Sequence, residues 1–190
     1  MNLPTKITLS RILAVPVIMV LFYLSFSFHY LAAAIIFVLA ALTDMVDGKI
    51  ARKRNEVTSL GKLLDPIADK LLACSLLIMI AANGKEMMYF NPPVGVIFTA
   101  LIVGREILIG AFRTIAARKG MILAADRWGK LKTVFLNVSI PVMLISEFHV
   151  AVKIVGNALF AIAFLLTVIS GVNYIVKNRK VFSEGEEENG

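Results

Sequence analysis

Six long apolar runs separated by short polar segments leave this chain few choices of architecture. They cover roughly residues 12–30, 31–50, 63–82, 94–116, 131–145 and 151–176. A helix of about 20 apolar residues is long enough to cross a bilayer. In hydrocarbon every backbone N–H and C=O needs a partner within the protein, and a helix supplies those partners inside one segment. Hydrophobic residues make up 58% of the 190, and the mean hydropathy is +0.82. That is more apolar sequence than one soluble core would hold. The expectation is an all-α, polytopic membrane protein with six transmembrane helices. Residues 1–180 form its membrane domain, and 181–190 a disordered acidic tail ending SEGEEENG. The opening NLPTKITLSR spaces Leu3, Ile7 and Ile12 among Thr, Lys, Ser and Arg. It is expected to lie along the membrane as an interfacial segment before the first span.

Basic residues set the orientation. Arg52, Lys53, Arg54 and Lys62, then Arg113, Arg118, Lys119, Arg127, Lys130 and Lys132, fall in loops on one side. With six spans both termini join that side, bringing Lys6, Arg11, Lys177, Arg179 and Lys180, while the other side holds Lys85 and Lys153. Cytoplasmic loops carry the excess of Lys and Arg, so both termini are expected in the cytoplasm of a multi-pass cell-membrane protein. The net charge of +7 then reflects topology, and nucleic acid is not an expected partner.

Several residues read as structural. Cys74, the single cysteine, lies within LLACSLLIMI and is expected to be a buried packing residue. His29 and His149 fall on the outer side as interfacial residues, and Trp128 is an interfacial anchor beside the basic loop. No small-residue cleavage site follows the first apolar run, which is therefore read as retained. No Gly-rich phosphate loop, zinc-type Cys/His cluster, nucleophile elbow or internal repeat is present.

The chemistry is concentrated in DMVDGKIARKRNEVTSLGKLLDPIADK, which carries four of the five aspartates. Asp44 and Asp47 are three apart, and Asp65 and Asp69 four apart, so on helices each pair shares a face. Four carboxylates beside apolar runs repel one another and resist ionisation unless they meet cations. Hard oxygen ligands suit Mg²⁺ or Mn²⁺, and four aspartates from two facing helices suffice for two such ions. A site of that kind clamps the oxygens of a phosphate or diphosphate, and a carboxylate with spare capacity takes the proton of an attacking group. Gly48 and Gly61 remove side chains where a substrate would approach the backbone. Arg52, four after Gly48, lies one turn further on the same face, within reach of a phosphate.

The string Asp44-x2-Asp47-Gly48-x2-Ala51-Arg52-x8-Gly61-x3-Asp65-x3-Asp69 resembles the signature of the CDP-alcohol phosphatidyltransferases, with every position filled. The six-span layout is similar as well. The resemblance implies integral membrane enzymes of six transmembrane helices, often homodimeric, that use Mg²⁺ or Mn²⁺. An acceptor alcohol displaces CMP from a CDP-linked lipid. By position, Asp44, Asp47 and Asp65 would bind one metal, and Asp44, Asp65 and Asp69 a second. Asp69 would also be the general base, and Gly48, Ala51, Arg52 and Gly61 would hold the CDP moiety.

The acceptor has to be read elsewhere. GREILIGAFRTIAARKG and DRWGKLKT crowd Arg105, Arg113, Arg118, Lys119, Lys130 and Lys132 into one patch. Positive-inside bias accounts for Lys119 and Arg127. It accounts less well for Arg105 and Arg113, which lie in an apolar helix where an unpaired cation is costly. Glu106 adjoins Arg105 but points about 100° away on a helix, so it is not an obvious partner. Cations held there point to an anionic acceptor, with Arg113 and Arg118, helped by Lys130 or Lys132, on its phosphate. The opening, with Asn2, Pro4, Thr8 and Arg11 in place, resembles the N-P-N-x-L-T-x-x-R start of the family branch that makes phosphatidylglycerophosphate. It departs at Thr5, which replaces Asn, and Ile7, which replaces Leu. The resulting expectation is transfer from CDP-diacylglycerol to glycerol 3-phosphate. Other acceptors (phosphatidylglycerol, inositol phosphate or serine) and a divalent-cation or proton-coupled transporter are the alternatives.

Overall fold

A computed structural model describes residues 3–24, 26–54, 59–83, 87–88, 92–118, 120–121 and 127–178. The side chains of 3–6, 44–54, 59–63, 65, 66, 92 and 118 lie outside the described set. Among the described residues the fold is all-α, with six helices. These are α1 (Leu3–Leu21), α2 (His29–Arg54), α3 (Ser59–Ala82), α4 (Pro92–Arg118), α5 (Arg127–Leu144) and α6 (Val150–Lys177). A 3₁₀ turn, Ile145–Phe148, links the last two. The His149 imidazole accepts from the Ala151 N–H at 3.1 Å and so caps α6.

The helix order follows the apolar runs with one difference at the start. The first run is expected to stay helical to Tyr30, but α1 ends at Leu21 and the chain turns before α2 begins at His29. Phe28 adopts a positive φ of 71° in that turn, a backbone state no helix accommodates. At the other end, the polar opening is continuous with α1 rather than a separate surface segment. Its Thr8 and Arg11 are buried.

Packing draws α1 against α2 and α3, α3 against α4, α2 against α5, and α5 against α6. Ile18, Phe37, Leu76, Ile80, Ile140, Met143 and Phe160 fill the centre. Small residues let backbones approach, as membrane helices require when lipid is as apolar as the core. Examples are Ala33 and Ala34 on α2, and Gly156 and Ala163 on α6. The opposite faces present Leu13, Val17, Leu39, Ile107, Leu108, Val172 and Val176 outward. Apolar surface of that extent suits hydrocarbon, not water. Residues 93–117, 127–148 and 150–177 are long and apolar enough to cross a membrane, and Ile7–Leu21 and His29–Thr43 are shorter apolar helices. The protein is an all-helical membrane protein.

Candidate active site

Asp69 sits on α3 with its side chain 53% exposed, and its Oδ1 accepts from Arg11 Nη1 of α1 at 2.9 Å. Arg11 itself is 2% exposed. Arg11 is hidden where α1 meets α3 while the carboxylate it holds faces outward. The side chains of Asp44, Asp47 and Asp65 lie outside the described residues, as do those of Gly48, Ala51, Arg52, Gly61 and Arg118. Only the helices that carry them are described. Among the described residues no group of three His, Cys, Asp or Glu side chains comes together.

Beside Asp69 opens a cavity of about 440 Å³ bounded by α3, α4, α5 and α6. The heptad-like spacing of Asp69, Lys70, Ala73 and Cys74 puts one face of α3 along it. Cys74 is thus not the buried packing residue expected. It is half-buried and borders the cavity, one turn beyond Lys70. Arg113, Lys130 and Lys132, expected to meet an acceptor phosphate, line the same cavity as Asp69. The structure therefore joins two sequence regions some 40 to 60 residues apart.

The basic residues divide into two sets. Lys132 is buried, and its ammonium is bonded to Glu106 Oε1. Arg105 reaches the same oxygen through Nη1 at 3.2 Å and donates through Nη2 to Ser170 Oγ at 3.0 Å. Lys70 donates to the Glu106 carbonyl at 3.4 Å. Gly110 makes room for this approach, because a Cβ there would lie 2.8 Å from Lys70 Nζ. Arg113 and Lys130 belong to the other set and are exposed. Arg113 Nε donates to Tyr174 Oη at 3.0 Å, and its guanidinium lies 5.2 Å from the Tyr174 ring centroid. That contact holds the fork by one edge, and its terminal nitrogens take no partner among the described residues. A planar cation held in this way is suited to a phosphate.

The pairing of Arg105 with Glu106 corrects the sequence-based expectation. A 100° offset separates the Cα–Cβ directions, but two long side chains on adjacent residues bend toward each other when a third charge, Lys132, anchors the carboxylate between them. Arg11, Glu106, Lys70 and Tyr174 were not singled out as site residues from sequence. Arg11 stood in the opening motif and Glu106 was the lone acid in an apolar helix, a signal that intramembrane acids seldom give without function.

The model of the CDP-alcohol phosphatidyltransferase family matches residues 1–169. Over 91% of its length the chain is 38% identical to the CDP-diacylglycerol–glycerol-3-phosphate 3-phosphatidyltransferase of Rickettsia typhi, of which 94% is covered. Enzymes of the same name from Bacillus subtilis and Salmonella choleraesuis are each 34% identical. Those matches cover 93% and 92% of the chain, and 95% and 93% of the relatives.

Proposed function

The chain belongs to the CDP-alcohol phosphatidyltransferase family, and from that premise we propose that it transfers the phosphatidyl group of CDP-diacylglycerol to sn-glycerol 3-phosphate. The products are phosphatidylglycerophosphate and CMP. What supports this acceptor most is the shared cavity, in which Asp69 and a cationic wall of Arg113 and Lys130 border one space. Serine would use no such wall. A transporter would be expected to place its acids near the midplane of broken helices, whereas here the acid pairs fall on two consecutive continuous helices, in the halves of α2 and α3 next to the basic link between them. Relatives over nine-tenths of the chain carry the enzyme name for this reaction.

The chemistry is an in-line displacement. The primary hydroxyl of glycerol 3-phosphate attacks the phosphorus that bears the diacylglycerol. The new O–P bond forms as the bond from that phosphorus to the CMP oxygen breaks. The hydroxyl proton passes to Asp69, and the electron pair of the broken bond leaves with CMP. Arg11 holds the Asp69 carboxylate in place, and Arg113 with Lys130 holds the acceptor phosphate, with Arg118 carried by the last turn of α4. Gly48, Ala51, Arg52 and Gly61 take the CDP moiety.

The family uses divalent cations, and the donor set fits them. Asp69 offers a half-exposed carboxylate of hard oxygens, one turn after Asp65 on the same helix, with Asp44 and Asp47 on α2. These four would hold two Mg²⁺ or Mn²⁺ ions, which when bound supply Lewis-acid stabilisation of the diphosphate charge. The reading includes six spans, both termini in the cytoplasm, a site open to that side, and a homodimer as the resemblance implies.

The test is acceptor choice by purified protein in detergent with CDP-diacylglycerol and Mg²⁺ or Mn²⁺. Labelled glycerol 3-phosphate should enter lipid with equimolar CMP release, and Asp69→Asn should abolish both. Labelling by serine or inositol phosphate instead would overturn the acceptor, and absence of CMP release with any acceptor would overturn the activity.

A further inference from the structure

Glu106 is an acid in the middle of an apolar helix, 14% exposed, on the wall of the cavity that Asp69 borders. Its two oxygens are used unequally. Lys132 Nζ and Arg105 Nη1 both converge on Oε1, and Oε2 takes no hydrogen bond among the described residues. Nor is Oε2 among the buried side-chain atoms that lack a partner and are sealed from solvent in the described residues. A carboxylate that served only to neutralise two cations would gain most by giving one oxygen to each. Here both donors lock one oxygen, which fixes the carboxylate plane and leaves the other oxygen accessible as a charged hydrogen-bond acceptor.

We infer that Glu106 recognises a hydroxyl of the acceptor, namely the secondary hydroxyl of glycerol 3-phosphate. The inference rests on the functional reading above and deepens it. Three polar groups of that acceptor need places. The primary hydroxyl belongs at Asp69. The phosphate belongs at Arg113 and Lys130, because a carboxylate so near would repel it. The secondary hydroxyl remains, and it needs an acceptor on the wall between. The neutral groups on that wall, Thr133, Asn137 and Tyr174, keep acceptor capacity even where Thr133 donates to the Gly129 carbonyl at 3.0 Å and Tyr174 accepts from Arg113, but none carries charge. The charged Oε2 of Glu106 is the stronger acceptor and is pre-oriented at no further cost in side-chain freedom. In this role Glu106 is a specificity residue, and Lys132 and Arg105 position it.

The experiment compares two acceptors on the full-length enzyme with CDP-diacylglycerol and divalent cation: glycerol 3-phosphate, and 3-hydroxypropyl phosphate, which lacks only the secondary hydroxyl. Wild type should prefer glycerol 3-phosphate in kcat/KM by about 10- to 100-fold, as expected when a charged acceptor loses its hydroxyl. Glu106→Gln should shrink that ratio to within about 3-fold, by loss on glycerol 3-phosphate with 3-hydroxypropyl phosphate little changed. The amide oxygen stays with the two cationic donors, and its NH₂ replaces the charged acceptor in the cavity. A wild-type ratio near one overturns the inference, as does an equal fall for both acceptors in Glu106→Gln, which would make Glu106 a mere prop for Lys132. If Glu106→Gln does not fold, the Glu106→Gln/Lys132→Met double variant removes both charges of the pair, and its ratio decides in the same way. Transfer by wild type to neither acceptor, but to serine or inositol phosphate, overturns the functional reading as well. Equal use of the two phosphates overturns this inference alone.

Discussion

Arg11 and Asp69 stand 58 residues apart in the chain and 2.9 Å apart in space. Burial is lopsided, 2% exposure for the cation against 53% for the acid. Truncating Arg11 therefore leaves a carboxylate that water still reaches, not an isolated buried charge, and the loss of its charge-assisted hydrogen bond to Asp69 alone costs about 2 kcal/mol. The catalytic cost should be larger, because Asp69 loses the contact that orients it. Arg11→Ala should lower kcat by about 10- to 100-fold with a smaller change in acceptor KM, and Arg11→Lys should recover part of kcat. A KM effect exceeding the kcat effect, or no recovery by Lys, would show that Arg11 serves packing alone. The four aspartates stood out in sequence because their helical spacing and adjacent glycines have a direct physical meaning; of the four, the described side chains include Asp69. The ion pairs were not. Arg11–Asp69 and Lys132–Glu106 join residues 58 and 26 apart, and no local periodicity records which distant helix a charge will face. The Arg105–Glu106 pair was discounted on backbone direction, although flexible side chains and a third charge decided it.

Helix by helix, the apolar runs predicted where segments lie because hydrocarbon length and backbone satisfaction leave helices as the economical solution. What they did not predict is which faces meet. That depends on small residues whose partners lie elsewhere in the chain, and α5 against α6 is the clearest case. A Cβ on Gly156 would fall 2.9 Å from Met143 Cγ and 3.2 Å from the Met143 backbone nitrogen. The thioether can rotate away, but the backbone cannot, and the short 3₁₀ link keeps the two helices together. Gly156→Val should therefore destabilise the protein by about 1–3 kcal/mol through overpacking, seen as a lower midpoint of thermal unfolding in detergent. Gly171 supplies the contrast. A Cβ there meets Arg105 Cγ at 3.4 Å, so Gly171→Ala should unfold within a degree or two of wild type, on the order of 0.5 kcal/mol. Equal losses from both would mean that close approach of α5 and α6 is not what Gly156 provides. The end of the first span at Leu21 was missed for a different reason. Residues 22–30 read FYLSFSFHY and mix Tyr23, Ser25, Ser27 and His29 into the run, so they are far less apolar than the aliphatic residues 12–21; the positive φ of Phe28 then belongs to the turn.

For the whole molecule, the structure constrains how the ends of the helices are distributed, and the charge pattern adds which end faces the cytoplasm. Trp128 opens α5, and Val150 opens α6 after a short link. The 18 residues of α5 rise about 27 Å at 1.5 Å each, close to the ~30 Å hydrocarbon thickness. The two positions therefore lie at opposite membrane faces if α5 spans. Lys130 and Lys132 follow Trp128 closely, while no Lys or Arg lies between 133 and 152, so positive-inside bias predicts Trp128 on the cytoplasmic side and Val150 on the other. Both side chains are exposed, 46% and 65%. Because Cys74 is the single cysteine, a Cys74→Ser background is free of thiols. In intact cells a membrane-impermeant maleimide should label Val150→Cys, and should label Trp128→Cys only after permeabilisation. The reverse pattern would invert the topology and take the aspartates away from the compartment where a soluble phosphate acceptor arrives. Labelling of both in intact cells would mean that α5 does not span, and the cavity beside Asp69 would then need another account of how lipid and acceptor reach it from opposite phases.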